Sequence, residues 1–459
     1  MERSSIHKIY EKYFDIIESY FGSIKHYLGD SADSHIDLGI HMANYPLISD
    51  LILDAIHDLD SEVLNYWNDN AKIIFDYTRN QNALKCLYSG DITPVVLENF
   101  VKKSALYIDT VVIPDPIFNM SILPRELYVN QKYFLAKLIR HVFNIWKLKD
   151  LLLADSKEDI IIILPISLRS INKSKRESLL EKAREEYTSY VNRITSHNFA
   201  NLEETFTFLE KINTSQDLFS NLRELKLLPR EFQSIKALDL FLESFTEQKI
   251  KGPYGGKSIG WNFGLYLQSQ FIRVQEHKYF CENLVAEPIY DYELPWFFYT
   301  YEAGGLNLDA SIANYLQKEK FQWLTRVPIK AIKEFREENT LDYMRSILRT
   351  GITDLKAKTD KDLSMVSAQL QKNMKDAFKQ QSSEISTLEN KVRKTTKIEI
   401  PLTTTGFLAG FIPYLGNVVS LCMAGRDIRK LIKENREAKR ILSGKKNSMI
   451  NLLMRTSDE

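Results

Sequence analysis

Residues 105–118 read ALYIDTVVIPDPIF, a β-branched run inside a chain that otherwise reads as helical. Pro114 and Pro116 end the run. A second run, EDIIIILPIS (158–167), holds four consecutive isoleucines before Pro165, and a helical pattern from Leu127 to Leu153 separates the two. Continuous apolar runs joined by a helix indicate parallel strands that are buried on both faces. We therefore predict one right-handed βαβ unit rather than a large doubly wound sheet.

Helical periodicity dominates the remaining sequence, and glycine (17) and proline (13) are scarce. Apolar residues recur at spacings of three and four in the segments 7–28, 45–67 and 92–106. From Pro328 the pattern is again helical, and residues 363–392 follow a near-heptad repeat with one stutter. This stretch predicts a long helix that pairs either in a coiled coil or with an antiparallel helix of the same chain.

The overall prediction is a mainly α-helical chain with a small α/β (βαβ) unit, a long helix or coiled coil and a C-terminal apolar helical hairpin. At 459 residues, several domains are expected. The divisions predicted from the sequence are 1–100 (helical), 101–250 (α/β unit with flanking helices), 251–327 (irregular, rich in glycine and aromatics), 328–398 (long helical or coiled-coil region) and 399–459 (apolar hairpin plus basic amphipathic helix).

The C-terminal region holds 25 consecutive uncharged residues, 401–425. That is enough to span a bilayer as a helix, but Pro413 and Gly416 would bend a helix at the middle, while Gly406 and Gly410 allow close helix packing. Basic residues flank both ends, which disfavours a single span because positive charge stays on the cytoplasmic side. We therefore predict a hairpin, inserted either in a bilayer or in the protein's own core. The basic residues expected to face lipid are Lys394, Lys397, Arg426, Arg429 and Lys430.

Charge is distributed unevenly along the chain. Residues 1–130 hold 10 Lys and Arg against 19 Asp and Glu, whereas residues 391–459 hold 14 against 6. A nucleic-acid-binding protein usually carries a broad basic face, so this class is not favoured. The basic segment 391–446 instead suggests an anionic membrane surface, or attraction between the two ends of one fold. Self-association or a protein partner is expected through 355–394.

Candidate catalytic groups are few. Parallel sheets bind ligands beyond the carboxyl ends of their strands, which makes Asp109 and Asp115 the best-placed carboxylates, together with Ser167 and Arg169. The competing interpretation is that the Pro-Asp-Pro sequence simply terminates a strand and that Asp115 makes a local turn hydrogen bond. No metal site or cofactor is predicted. The three cysteines show neither metal-ligand spacing nor a disulfide framework, and no secretory signal is found, so the cytoplasm or the inner face of the cell membrane is the expected location.

Three stretches carry a resemblance: YIDTVVIPDPIF (107–118), VPIKAIKEFREEN (327–339) and the glycine-rich tail (406–425). On these the chain resembles uncharacterised bacterial proteins that are encoded near mobile elements and phage-defence genes. The leading hypothesis is a bacterial non-enzymatic effector or sensor: the uncharged run between basic flanks suggests the membrane-active or regulated hairpin, and the resemblance implies phage defence as its setting. Two alternatives stay open: a soluble hydrolase or nuclease that uses the strand-end carboxylates, and a coiled-coil scaffold that binds a partner.

Overall fold

The structure is a computed structural model. It describes residues 3–25, 46–89, 94–121, 131–223 and 258–290, together with isolated positions between 234 and 376. The chain forms two compact units, residues 1–341 with 354–366 and residues 342–353 with 367–459. The sheet and the helices that surround it belong to the first unit. In the second unit only isolated helical positions are described, such as Gln369, whose side chain donates to Asn373 at 2.7 Å.

The described part of the first unit is mostly helical, as predicted. Its helices are α1 (Arg3–Lys25), α2 (Pro46–Asn80), α3 (Pro94–Ala105), α4 (Pro116–Ser121), α5 (Gln131–Leu152), α6 (Lys173–Thr195), α7 (Leu202–Leu209), α8 (Ser215–Asn221) and α9 (Ile259–Leu284). Its strands are β1 (Lys85–Ser89), β2 (Thr110–Pro114), β3 (Ile161–Leu164) and β4 (Glu287–Tyr290).

The sheet is parallel and larger than one βαβ unit. Its order is β3-β2-β1-β4, and each neighbouring pair runs in the same direction. The predicted βαβ unit is present as β2, α5 and β3. β1 was missed, since it lies in the region predicted to be all helical, whereas β4 lies in the irregular region, where the sequence predicted loops with short strands or helices but gave them no positions. That region also contains α9, which is 26 residues long.

Side chains occupy both free edges of this sheet. The hydroxyl of Tyr10, from α1, donates to the carbonyl of Ile163 at 2.9 Å and accepts from the N–H of the same residue at 3.1 Å. At the other edge, the amide of Asn314 donates to Pro288 O at 2.9 Å and accepts from Tyr290 N at 3.0 Å. Unpaired edge strands invite pairing with other chains, and these two side chains occupy backbone groups at the outer edges of the four strands that the structure describes.

A second core lies where α6, α7 and α9 meet. Gly260 and Gly264 sit one turn apart on α9, where a Cβ atom at Gly260 would lie 2.2 Å from the backbone oxygen of Leu209. A Cβ at Gly264 would lie 2.7 Å from a methyl carbon of Leu209. These glycines let α9 approach the end of α7 at backbone distance, as small-residue motifs do in other helix pairs. Ring contacts fill the remaining space, including Phe271 against Tyr190 and Phe298.

Among the described residues, no helix is long and apolar enough to cross a membrane. The uncharged run 401–425, with Gly406, Gly410, Pro413 and Gly416, lies outside the described residues. The same is true of the basic positions Lys394, Lys397, Arg426, Arg429 and Lys430. Most of the predicted coiled coil also lies outside them, so the hairpin and the coiled coil remain predictions.

Replacing Gly260 with alanine should lower the free energy of unfolding by about 2 kcal/mol, because the new methyl group meets rigid backbone. The matched control is Gly22→Ala in α1, where the Cβ would meet only the flexible side chain of Glu18 at 3.3 Å. That substitution should raise stability by about 0.5–1 kcal/mol through helix propensity. Urea unfolding measures both variants, and equal effects would contradict the close packing of α9 on α7.

Candidate functional site

The carboxyl edge of the sheet is where this architecture would place a ligand. The last residues of the strands are level there: Ser89 pairs with Tyr290, and Pro114 pairs with Leu164. The chain passes from β1 to β2 to β3 in one direction across the sheet and then returns to place β4 on the far side of β1. The order therefore reverses between β1 and β4, and a crevice is expected outside these two strand ends.

Asp115 follows β2 at this edge and is completely buried. Its Oδ2 atom accepts hydrogen bonds from the Tyr13 hydroxyl and the Trp67 indole N–H, both at 2.6 Å. Its Oδ1 atom accepts from the backbone N–H groups of Ile117 at 2.9 Å and Phe118 at 3.2 Å. The side chain thus caps the first turn of α4 and ties α1 and α2 to the end of β2.

Burial is the main influence on the ionisation of this group. It raises the pKa of Asp115 from 3.8 to about 6, although all four hydrogen bonds favour the carboxylate and act in the opposite direction. Burial, followed by the adjacent Asp115 carboxylate, raises the pKa of Tyr13 well above its usual value, so that its hydroxyl stays protonated and donates. At neutral pH the four donors therefore surround an ionised carboxylate that has no contact with solvent.

Two side chains of α9 also reach the sheet. Glu276 accepts a hydrogen bond from the N–H of Leu168 at 2.6 Å and so holds the turn after β3, while burial raises its pKa to about 7. His277 is buried against β1, and burial lowers its pKa to about 3, so the ring is neutral. Its Nε2–H donates to the carbonyl of Leu87 at 2.9 Å, and the ring meets Tyr290 edge to face. Both groups are used to attach α9 to the sheet.

The amino edge of the sheet contains the other predicted carboxylate. Asp109 precedes β2, and its Oδ2 accepts from Leu84 N at 2.7 Å. The buried guanidinium of Arg336 donates to the carbonyls of Ala105, Ile108 and Asp109, at the end of α3. Cations stabilise the unpaired carbonyls at the end of a helix. Arg336 thereby joins two of the stretches that carry the resemblance, 107–118 and 327–339.

Two further charged residues, one basic and one acidic, form hydrogen bonds at the amino edge. Lys85 is buried and donates to the last carbonyls of α2, and burial lowers its pKa. Asp159, just before β3, accepts from Arg3 at 2.7 Å and from Tyr77 and Gln81 at 2.6 Å. These bonds tie both ends of the N-terminal helical pair to the sheet.

The structure does not bring Asp109 and Asp115 together. They stand at opposite ends of β2, which at about 3.3 Å per residue puts them roughly 20 Å apart along the strand. The interpretation of Asp115 as a strand terminator with a local hydrogen bond agrees with its observed contacts. Ser167 lies in the turn after β3, on the same edge as Asp115, where its carbonyl accepts from the Ser170 hydroxyl at 2.7 Å. The side chain of Arg169 lies outside the described residues.

Within the described part of the chain, no group of three or more His, Cys, Asp or Glu side chains is placed to hold a metal ion. Comparisons with protein-family models, curated proteins and solved structures found no match to this chain. A function can therefore be inferred only from the chain's own sequence and geometry.

Sequence reasoning missed the partners of Asp115 and the position of His277. Tyr13 and Trp67 fall on the apolar stripes of their helices, so the pattern indicates only that they are core residues. A buried hydroxyl or indole N–H usually finds an acceptor. This rule was the one signal that could have linked Tyr13 and Trp67 to the Asp115 carboxylate. His277 carries no comparable signal, because one histidine on a mixed helix is uninformative.

Replacing Asp115 with asparagine should lower the free energy of unfolding by about 2–3 kcal/mol at pH 7. The new NH₂ group would face two donors, either the Tyr13 and Trp67 pair or the two backbone N–H groups. Asp109→Asn is the matched control, since its remaining carbonyl oxygen can still accept from Leu84 N, and we expect a loss below about 1 kcal/mol. Urea unfolding that shows equal losses would contradict the different roles assigned to the two carboxylates.

The pH dependence of the same variant isolates the ionisation of Asp115. Because the folded pKa is above the unfolded one, the stability contributed by this group is full below about pH 3.8 and is lost as the pH rises through 6. The difference in unfolding free energy between the wild type and Asp115→Asn should therefore fall by roughly 3 kcal/mol between pH 3.5 and pH 7.5. A difference that rises with pH would show that hydrogen bonding, not burial, dominates this pKa.

Proposed function

We propose that this chain is a bacterial sensor and effector protein that acts in phage defence without catalysis. Its first unit recognises a signal, and the C-terminal uncharged run acts at the membrane. The main observation behind the proposal is that the polar side chains near the carboxyl edge of the sheet form hydrogen bonds within the fold. The sheet has the strand order that is typical of a ligand crevice, yet the buried Asp115 and His277 and the half-buried Glu276 each form hydrogen bonds within the fold.

A side chain whose polar atoms already form hydrogen bonds within the fold is a poor catalyst. A general base needs a reachable proton and a lone pair that is not already occupied, and Asp115 has neither solvent contact nor an unused oxygen. The alternative of a hydrolase or nuclease based on Asp109 and Asp115 needs these carboxylates to converge, and they lie at opposite ends of β2. The geometry therefore supports binding at the crevice beside Ser89 and Tyr290 better than it supports catalysis there.

The effector half of the proposal rests on the sequence. Residues 401–425 carry no charge and are flanked by basic residues on both sides, a pattern that fits a hairpin entering an anionic leaflet and returning to the same side. The resemblance to proteins encoded near phage-defence genes gives the biological setting. In this proposal the long helical segment between the first unit and the run transmits the signal.

At least one of a panel of phages should form plaques at least about tenfold less efficiently on cells that express the full chain than on cells without it. Upon infection, the chain should also enter the membrane fraction. Val419→Glu places a charge in the uncharged run, and the insertion of such a charge costs about 2.5–3.5 kcal/mol at a helix centre. This variant should lose both effects. Thr456→Glu, with the same added charge outside the run, is the control and should retain both.

Filling the crevice tests the sensor half separately. Ser89 is buried at the end of β1, so Ser89→Leu adds volume where there is little room, and we expect it to abolish protection and to lower the melting temperature by several degrees. If that variant is too unstable, Ser89→Ala removes the hydroxyl alone. Protection by Val419→Glu equal to that of the wild type would exclude the membrane role, and full protection by both Ser89 variants would exclude the crevice.

A further inference from the structure

An open groove of about 960 Å³ lies between α6, the start of α7 and the first turn of α9, and neither Ser89 nor Tyr290 lines it. Its α6 wall extends from Glu181 to Asn192, which is about 16 Å at 1.5 Å per residue. Pockets for small molecules bury most of the ligand surface. A long, open groove is better suited to a segment of polypeptide.

The floor of the groove is aromatic. Phe206 is buried and packs on Tyr187 at 5.9 Å and on Trp261 at 4.7 Å between ring centroids. Trp261 and Phe199 are only partly covered and present ring surface to the groove. Such surfaces accept the apolar anchor of a peptide, and the faces of the rings attract cations.

The rim of the groove is acidic. Glu181 and Glu185 lie four residues apart on α6, Glu203 lies in the first turn of α7, and all three are exposed. Among the described residues that line the groove, Arg184 is the one cation, and it is 3.0 Å from the Glu181 carboxylate. Within the described part of the chain, no salt bridge involves Glu185 or Glu203. Two carboxylates of the rim are therefore available to a partner.

The groove walls are fixed before any partner binds. The Asn192 side chain donates to Phe199 O at 3.0 Å and accepts from Phe199 N at 2.7 Å. At the next turn Asn201 caps α7 by accepting from Glu204 N at 3.0 Å, and Glu204 accepts from Ala200 N at 2.9 Å. A preformed groove loses little conformational entropy when it binds a segment.

We propose that this groove binds a basic peptide segment of a partner protein. An apolar side chain of the segment would lie on Phe206 and Trp261, and its lysine or arginine side chains would pair with Glu185 and Glu203. The acidic rim repels nucleic acid and anionic lipid, which leaves a cationic partner as the complementary occupant. The inference concerns a different surface from the proposed function and does not depend on it.

The test uses the full chain and a short fluorescein-labelled peptide of leucine and lysine, with fluorescence polarisation as the measurement. The charge-reversed variant Glu185→Lys with Glu203→Lys should bind this peptide at least about tenfold more weakly than the wild type. The matched control is Glu11→Lys with Asp15→Lys, which makes the same change in net charge at exposed positions of α1. The control should bind within about twofold of the wild type.

Three outcomes would overturn the proposal. The first is that the leucine–lysine peptide does not bind the wild type at all. The second is equal weakening in both double variants, which would show general charge attraction instead of a site. The third is displacement of the labelled peptide by spermidine at a concentration similar to that at which unlabelled peptide displaces it. This result would identify the occupant as a small polyamine. A leucine–glutamate peptide that fails to bind, together with weaker binding by Trp261→Ala, would support the groove.

Discussion

The buried carboxylate of Asp115 is the constraint on which the first unit depends. One side chain caps α4, accepts from α1 through Tyr13 and accepts from α2 through Trp67. A buried carboxylate is tolerated only when each of its oxygens is hydrogen-bonded. The three helices must therefore meet within hydrogen-bond distance of the Asp115 side chain. The N-terminal helices are consequently part of the α/β fold, although their sequence alone suggests a separate helical region.

The amino edge is held by charges of opposite sign. Lys85 and Arg336 satisfy carbonyls at the ends of α2 and α3, and Asp159 gathers donors from α1 and α2. Side chains therefore hold β2 near both of its ends and β1 at its amino end. The two central strands, β1 and β2, have only five residues each, and these side-chain bonds add to their pairing while Tyr10 and Asn314 occupy the outer edges.

The sequence predicted the elements whose pattern is long or uniform and missed those defined by distant contacts. The isoleucine run identified β3, and the β-branched run before Pro114 identified β2. β1, read as KCLYS, carries a lysine and a serine at its ends, and β4, read as EPIY, contains a proline that is typical of edge strands. Neither is distinguishable by periodicity from a loop. The link between Arg336 and α3 joins residues more than 220 positions apart, and nothing local indicates it.

Carboxylates of the same residue types serve opposite purposes in this molecule, and burial separates them. Asp115 is inaccessible and has all its hydrogen bonds within the fold, so it stabilises the structure and is not available for chemistry. Glu185 and Glu203 are exposed beside aromatic rings and form no salt bridge within the described part of the chain, so a partner can supply the cation. The sequence pattern favours the strand-end aspartate between two prolines as a site residue, whereas it gives no such signal for glutamates on a charged helix. Function in this chain is therefore expected at surfaces that the structural hydrogen bonds leave open.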